Sequence, residues 1–318
     1  MISLSLVIPS YRRPASLEAA LRAALAQEVP FEEIIVVARA DDRDTHDVAT
    51  HAGVHLVTVD EPGVIAAMLT GARHATSDII GFCDDDARVS SEWSRRVRSL
   101  FEDPRNAWVG GVGGRDLLFD GDVPRTTTLT NDVGRLTVVG RVVGNHHRGI
   151  GGPRDVDVLK GVNCAYRRVA LAFPQGLRGD GAQAHFEVAI GQHCRQNSWR
   201  LIYDPSLKVE HRPDDRVGAD HRTAPRPNAI ADSAFNLERS LPTTRATRRW
   251  LYVHLVGDGA CPGLLRCAVA LVRRDRAVLQ RRAPSWRGTT DAWRQRRHPL
   301  RFIAVDEESP SSPAPTDR

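Results

Sequence analysis

Three consecutive carboxylates, Asp84, Asp85 and Asp86, close the stretch Ser77-Asp78-Ile79-Ile80-Gly81-Phe82-Cys83. Ile79, Ile80, Phe82 and Cys83 form an apolar run broken only by Gly81, the pattern of a strand buried on both faces of a mostly parallel sheet. Acids crowded at the end of such a strand repel one another, and their pKa values rise unless a cation lies between them. Carboxylate oxygens suit Mg2+ or Mn2+, which are held by one or two carboxylates together with substrate phosphates. Ligands of open α/β sheets bind outside the carboxyl ends of the strands. Position and chemistry agree on a divalent metal and a phosphate-bearing ligand. The plainer alternative is a polar turn leading through Ser90 and Ser91 into the next helix.

The elements that must position these acids follow from periodicity. Leu4 to Ile8 is a buried-strand pattern stopped by Pro9-Ser10-Tyr11-Arg12-Arg13-Pro14, and Leu17, Leu21, Ala24 and Leu25 then recur at helical spacing. Ile34 to Val37 and Val54 to Val59 read as further strands, with the acidic loop Asp41-Asp42-Arg43-Asp44 between them. Val64, Met68, Gly71, Ala72 and Ala75 make a helical stripe before the Ile79 strand; Trp93, Val97, Leu100 and Phe101 make one after it. This alternation predicts a βαβ sheet with right-handed crossovers, the first and fourth strands opening on one edge. Residues 113–155 are rich in Gly, Thr, Arg and Asp and predict irregular or antiparallel chain. Val156 to Val162 reads as a strand, Ala184 to Gln196 as a helix and Trp199 to Tyr203 as a strand. Arg212 to Arg226 reads as a linker or flexible loop.

The 318 residues suffice for one large domain or two moderate ones. A net charge of +5, with more arginine than lysine, suits anionic ligands but is too weak to imply nucleic acid. Five cysteines without a CxxC pair argue against a disulfide framework or zinc site and fit a reducing cytosol. No basic leader precedes Leu4, and no apolar run approaches the ~20 residues that span a bilayer.

Four motifs in order carry a resemblance. Leu6-Val7-Ile8-Pro9-Ser10-Tyr11-Arg12-Arg13 resembles the opening of family 2 glycosyltransferases of the GT-A fold. Asp84-Asp85-Asp86 is similar to the DxD motif, and Lys160-Gly161-Val162-Asn163-Cys164-Ala165-Tyr166-Arg167-Arg168 to the acceptor-side strand. Glu187 stands where the family has its catalytic carboxylate, before Trp199-Arg200-Leu201-Ile202-Tyr203-Asp204-Pro205, and His211 where it often has a histidine. The resemblance spans about residues 4–212.

It implies an α/β fold of GT-A type: a nucleotide-binding, mostly parallel sheet flanked by helices, a mixed acceptor-side half and a C-terminal helical extension. The boundaries are 1–215 for the catalytic domain (1–115 nucleotide-sugar half, 116–215 acceptor half); beyond the resemblance, Arg-rich helical patterns give an extension over 216–300, and Ser, Pro and acidic residues a disordered tail over 301–318. Pro9, Tyr11 and Arg13, with Asp41, Asp84 and Asp85, would hold the nucleotide of a nucleotide-diphospho-sugar. Asp86 and His211 would hold Mg2+ or Mn2+. Glu187 would be the general base toward the acceptor hydroxyl, in a single displacement with inversion, with Asp180 in reserve. Lys160, Asn163 and Arg168 would face acceptor or phosphate. Two departures stand out: Ala38-Arg39-Ala40 replaces an expected acid after the second strand, and Phe186-Glu187 an expected acid pair. His193 stands where arginine is common.

The resemblance further implies surface polysaccharide or glycolipid assembly in the cytoplasm, with a glycan or lipid-linked acceptor. Arg-rich segments beyond residue 216 could lie on an anionic membrane, but short apolar stripes favour a cap packed on the catalytic domain. The alternatives are a sugar nucleotidyltransferase, disfavoured by a first loop without a Gly-rich phosphate cradle, and a non-catalytic GT-A-like binding protein.

Overall fold

The computed structural model describes residues 1–179, 181–214 and 226–307. Its first half alternates as the periodicity requires: β1 (Leu4–Pro9), α1 (Pro14–Leu25), β2 (Glu33–Arg39), α2 (Arg43–His51), β3 (His55–Val59), α3 (Val64–His74), β4 (Ile79–Cys83), β5 (Ala87–Val89) and α4 (Trp93–Glu102). Then follow β6 (Val109–Asp120), β7 (Val123–Pro124), β8 (Arg135–Leu136), β9 (Val142–Val143), β10 (Arg154–Val156), β11 (Asn163–Arg167), β12 (Ala172–Pro174), α5 (Phe186–Gln196) and β13 (Arg200–His211). Four helices close the chain, α6 (Pro227–Ser240), α7 (Thr243–Leu255), α8 (Leu264–Arg273) and α9 (Arg276–Arg294), before β14 (Phe302–Ala304).

The main sheet runs β10-β13-β6-β11-β4-β1-β2-β3. β1 is parallel to β2 and β4, and β2 to β3. β11 enters antiparallel between β4 and β6, and β6 then pairs parallel with β13. That mixed half brings the starts of β11 and the ends of β4, β6 and β13 to one edge. Side chains alternate between two cores: Ile80 and Phe82 pack with α3 and α5, while Ile79 and Cys83 pack with α1 and α4. A Cβ on Gly81 would lie 2.9 Å from Trp93, so the break in the apolar run admits the indole of α4 against the strand.

Several expectations need correction. The segment from residue 113, read as irregular or antiparallel, begins inside β6, which runs on to Asp120 and pairs antiparallel with β11 and β7 but parallel with β13, against which its small residues pack. The strand expected over Val156 to Val162 is split: residues 157–162 turn between β10 and β11. The acids after β2 open a helix, Asp42 capping α2 through Thr45. Residues 301–307, expected within a disordered tail, contain β14, which pairs with β12 and adds Phe302 and Ile303 to the core. Among the C-terminal helices, α6 packs on α5 through Leu237 and Val188, and α9 lies so close to α6 that a Cβ on Gly288 would sit 2.0 Å from the Ala231 carbonyl oxygen. No described helix is long and apolar enough to cross a membrane.

Candidate active site

Strand β4 delivers its acids in three different environments. Asp84 is partly exposed, while Asp85 and Asp86 are buried. Asp85 has 0% exposure and accepts hydrogen bonds from Ser10 Oγ (2.8 Å) and Arg13 Nε (3.1 Å). Burial pushes its carboxyl up to about 7 against the pull of Arg13. Its role is therefore to brace the loop after β1; enclosed in this way it does not face a nucleotide, contrary to the expectation. Arg13 reaches past it to Asp86 Oδ2 (2.9 Å), so this arginine is engaged with the acids rather than turned outward.

At the edge of the sheet Asp86 meets His211, the last residue of β13, which the β5 pairing sets opposite Ala87. His211 Nε2 lies 3.5 Å from Asp86 Oδ1 and Nδ1 lies 3.6 Å from Asp116 Oδ2. Asp116, in β6, is fully buried and also pairs with Lys160. Burial opposes ionisation of both acids, but His211 with Arg13 holds Asp86 well below the ordinary carboxylate value, and His211 with Lys160 does the same for Asp116. Ligand atoms of Asp84, Asp86 and His211 lie within 4.8 Å of one another. Asp86 Oδ1 is buried without a hydrogen-bond partner, an acceptor that a cation would satisfy. Two carboxylates and an imidazole fit Mn2+ or Mg2+ by chemistry.

Glu187 lies in the first turn of α5. Its Oε1 is 3.8 Å from where a Cβ on Gly161 would stand, and Gly161 lies two residues before Asn163, whose β-partner is Cys83. The carboxylate thus belongs to the same sheet edge as the acids. The buried thiol of Cys164 registers it: burial first, then Glu187 and Asp84, push that thiol far up. The approach to α5 is tightly bent, with positive φ at Gln183 and His185. Gln183 Oε1 accepts from the Ile65 amide (3.0 Å) at the start of α3, and His185 Nε2 is 3.1 Å from Ser233 Oγ of α6. Two other elements therefore hold the loop that aims Glu187.

Residues 5–171, just over half of the chain, match the profile described as Glycosyl transferase family 2. The chain belongs to this family. Its fold is of GT-A type, and it is a glycosyltransferase. Similar solved structures include the mannosyltransferase PcManGT from Pyrobaculum calidifontis in complex with GDP-Man and Mn2+, at 16% identity and TM-score 0.54, covering 92% of this chain and 86% of that one. Another is GalNAc-T7 with UDP, GalNAc and Mn2+, at 13% identity and TM-score 0.58, covering 80% of this chain and 51% of that one. No curated protein matches the sequence.

In this glycosyltransferase the sequence-predicted residues divide. Pro9 ends β1, and Tyr11, Arg13 and Asp41 lie in the loops after β1 and β2, at the edge where β4 ends. Tyr11 is exposed, with the Arg12 guanidinium over its ring, and that guanidinium also bonds Asp41 (3.0 Å). Lys160 lies at this edge through Asp116. Two expected acceptor-side residues do not belong to the cleft. Asn163 is 1% exposed, accepting from Trp93 Nε1 (2.8 Å) and donating to the Leu207 carbonyl (2.9 Å), so its amide staples α4 to the sheet. Arg168 follows the opposite end of β11, where it donates to the Ala75 carbonyl (2.6 Å) and pairs with Asp306. His193 stacks on Phe302, a packing role. The reserve base Asp180 and most of the linker read at Arg212 to Arg226 lie outside the described residues. Sequence reasoning missed Asp116 and Ser10. A lone acid at the end of a Gly-rich run, Gly113-Gly114-Arg115-Asp116, was the available signal for the first.

Proposed function

We propose that the chain is an inverting, divalent-metal-dependent glycosyltransferase that moves a sugar from a nucleotide-diphospho-sugar to an acceptor hydroxyl. Asp84, Asp86 and His211 would hold the ion, Mn2+ or Mg2+, which would offset negative charge on the departing diphosphate. The loop after β1, with Tyr11, and the loop after β2, with Asp41, would receive the nucleotide. Arg13, anchored on Asp85 and Asp86, brings a fixed positive charge to the phosphate side. Glu187 Oε1 would accept the proton of the attacking hydroxyl, and buried Phe186 beside it would help keep water from that carboxylate. One base and no protein nucleophile correspond to single displacement with inversion.

The observation that carries this reading is the convergence of Asp84, Asp86, His211 and Glu187 on one sheet edge. A binding protein that had lost its chemistry would have no need for Glu187 to be aimed by two other elements. By fold analogy the acceptor is a glycan or a lipid-linked glycan of surface polysaccharide or glycolipid assembly, used in the cytoplasm. The test is calorimetry of UDP, GDP and dTDP with Mn2+, Mg2+ or EDTA, on the wild type and Asp86→Ala. Metal-dependent binding of one nucleotide, lost in the variant, is the expected result. Failure of every nucleotide under every metal condition would remove the donor site from the reading.

A further inference from the structure

Helix α8 has the sequence Leu-Leu-Arg-Cys-Ala-Val-Ala-Leu-Val-Arg, and of these residues only Ala270 is buried. Leu264, Leu265, Val269, Leu271 and Val272 are exposed, Val272 at 86%. The end of α7 continues this surface with exposed Leu251, Leu255 and Val256. The two helices meet through a tight turn: the Gly263 amide donates to the Val256 carbonyl (3.2 Å), and a Cβ on Gly263 would lie 2.4 Å from the Val256 carbonyl carbon. Leu255 and Val256 therefore adjoin Leu264 and Leu265. Ten of the eighteen large apolar side chains exposed among the described residues fall between 251 and 293, so this is a patch and not scattered exposure.

Charge selects what covers it. Residues 241–290 contain ten arginines and no lysine, against two aspartates and no glutamate. Both aspartates are engaged, Asp258 with Arg249 and Asp275 as the cap of α9. Arg248, Arg266 and Arg273 are exposed, and none makes an ion pair among the described residues. A second copy would bring the same arginines face to face across a two-fold axis. A surface of lipid phosphates over acyl chains matches both the charge and the apolar centre.

We propose that the α7–α8 face seats on an anionic bilayer, with its leucines and valines among the headgroups and upper acyl chains and its arginines on lipid phosphates. α6, α9 and the buried side of α7, with Ala246 and Arg249, form the cap on the catalytic domain, and the exposed sides of α7 and α8 are the face that the cap presents outward. A cavity of about 430 Å³ is lined by Ala260 and Cys261 of the α7–α8 turn and by His185, which precedes Phe186 and Glu187. The bilayer-facing turn thus lies beside the helix of the proposed base.

The test is co-sedimentation of the full chain with vesicles of phosphatidylglycerol and phosphatidylcholine in equal parts, and with phosphatidylcholine alone. The wild type should sediment with the anionic vesicles and not with the neutral ones. Arg266→Gln with Arg273→Gln should lower the partition coefficient by about fivefold per arginine, and Leu265→Glu with Val272→Glu should abolish sedimentation. Circular dichroism and the melting temperature of each variant check that it folds. Equal sedimentation of the apolar variant, or no sedimentation of the wild type, would overturn the proposal. A concentration-dependent dimer by light scattering, lost in the apolar variant without any vesicle binding, would assign the face to a second copy instead. The assay contains neither donor nor acceptor, so its outcome is independent of the proposed reaction.

Discussion

At the scale of single residues, the site works by setting apart groups of similar chemistry. Asp85 is enclosed with Ser10 and Arg13, Asp86 shares His211, and Asp84 remains partly open. Asp116 is shut off from solvent and lies 3.6 Å from His211 Nδ1, on the other ring nitrogen from the one that faces Asp86; if His211 holds the proposed ion, Asp116 stands where carboxylates set the orientation of metal-binding histidines. Asp116→Asn should therefore lower Mn2+ affinity by about 10- to 100-fold while the fold persists, read by calorimetry with Mn2+ and by thermal melting. If Asp116 only stabilised the sheet, melting would fall and Mn2+ affinity would not. Glu187→Gln should lower kcat by about a hundredfold to ten-thousandfold, with nucleotide affinity unchanged; comparing kcat with calorimetric affinity separates a base from a donor contact. The Asp84-Asp86 pair was legible in the sequence because an apolar strand ending in acids is a local pattern. Asp85's burial was not, since Ser10 and Arg13 come from more than seventy positions away.

At the scale of elements, α5 carries Glu187 and is tightly seated. A Cβ on Gly191 would come 2.4 Å from the Asp157 carbonyl oxygen, so this helix packs against backbone where only glycine fits. Gly191→Ala should cost about 1–3 kcal/mol in urea unfolding and, by shifting the helix that carries Glu187, should lower kcat as well. Loss of stability with kcat untouched would mean that α5 can move without moving the base. The strand β14 makes a second prediction. It pairs with β12, lends Phe302 and Ile303 to the core and anchors Arg168 through Asp306. Deleting residues 301–318 should cost roughly 3 kcal/mol and lower the melting temperature. Ser- and Pro-rich composition masked this strand, because three residues that pair with a distant partner have no periodicity to read.

For the whole molecule, a buried ionic cluster ties the C-terminal helices to one another. Glu238 of α6 lies 3.4 Å from Arg249 of α7, and Arg249 lies 3.6 Å from Asp258. Burial pushes the Glu238 carboxyl up to about 7 from 4.5, with Arg249 opposing. A carboxyl with a raised folded pKa is protonated more readily in the folded state, so its unfavourable contribution is absent below about pH 4.5 and complete above about pH 7. Unfolding free energy should therefore fall by about 3 kcal/mol across that window from this group. Glu238→Gln should flatten the slope, measured as urea unfolding at a series of pH values. An unchanged slope in the variant would assign the pH dependence to other groups.

The sequence alone determined the alternation of strands and helices to Phe101, the acidic end of β4 and the family, because these reside in local periodicity and in motifs read in order. Tertiary structure decided what those motifs do. It enclosed Asp85, committed Asn163 and Arg168 to packing, recruited Asp116 and left α8 uncovered. Each of these outcomes depends on which distant segment the sheet order and the helix packing bring against a side chain. Burial, hydrogen-bond partners and the pKa directions that follow from them are properties of that neighbourhood and not of the residue's place in the chain.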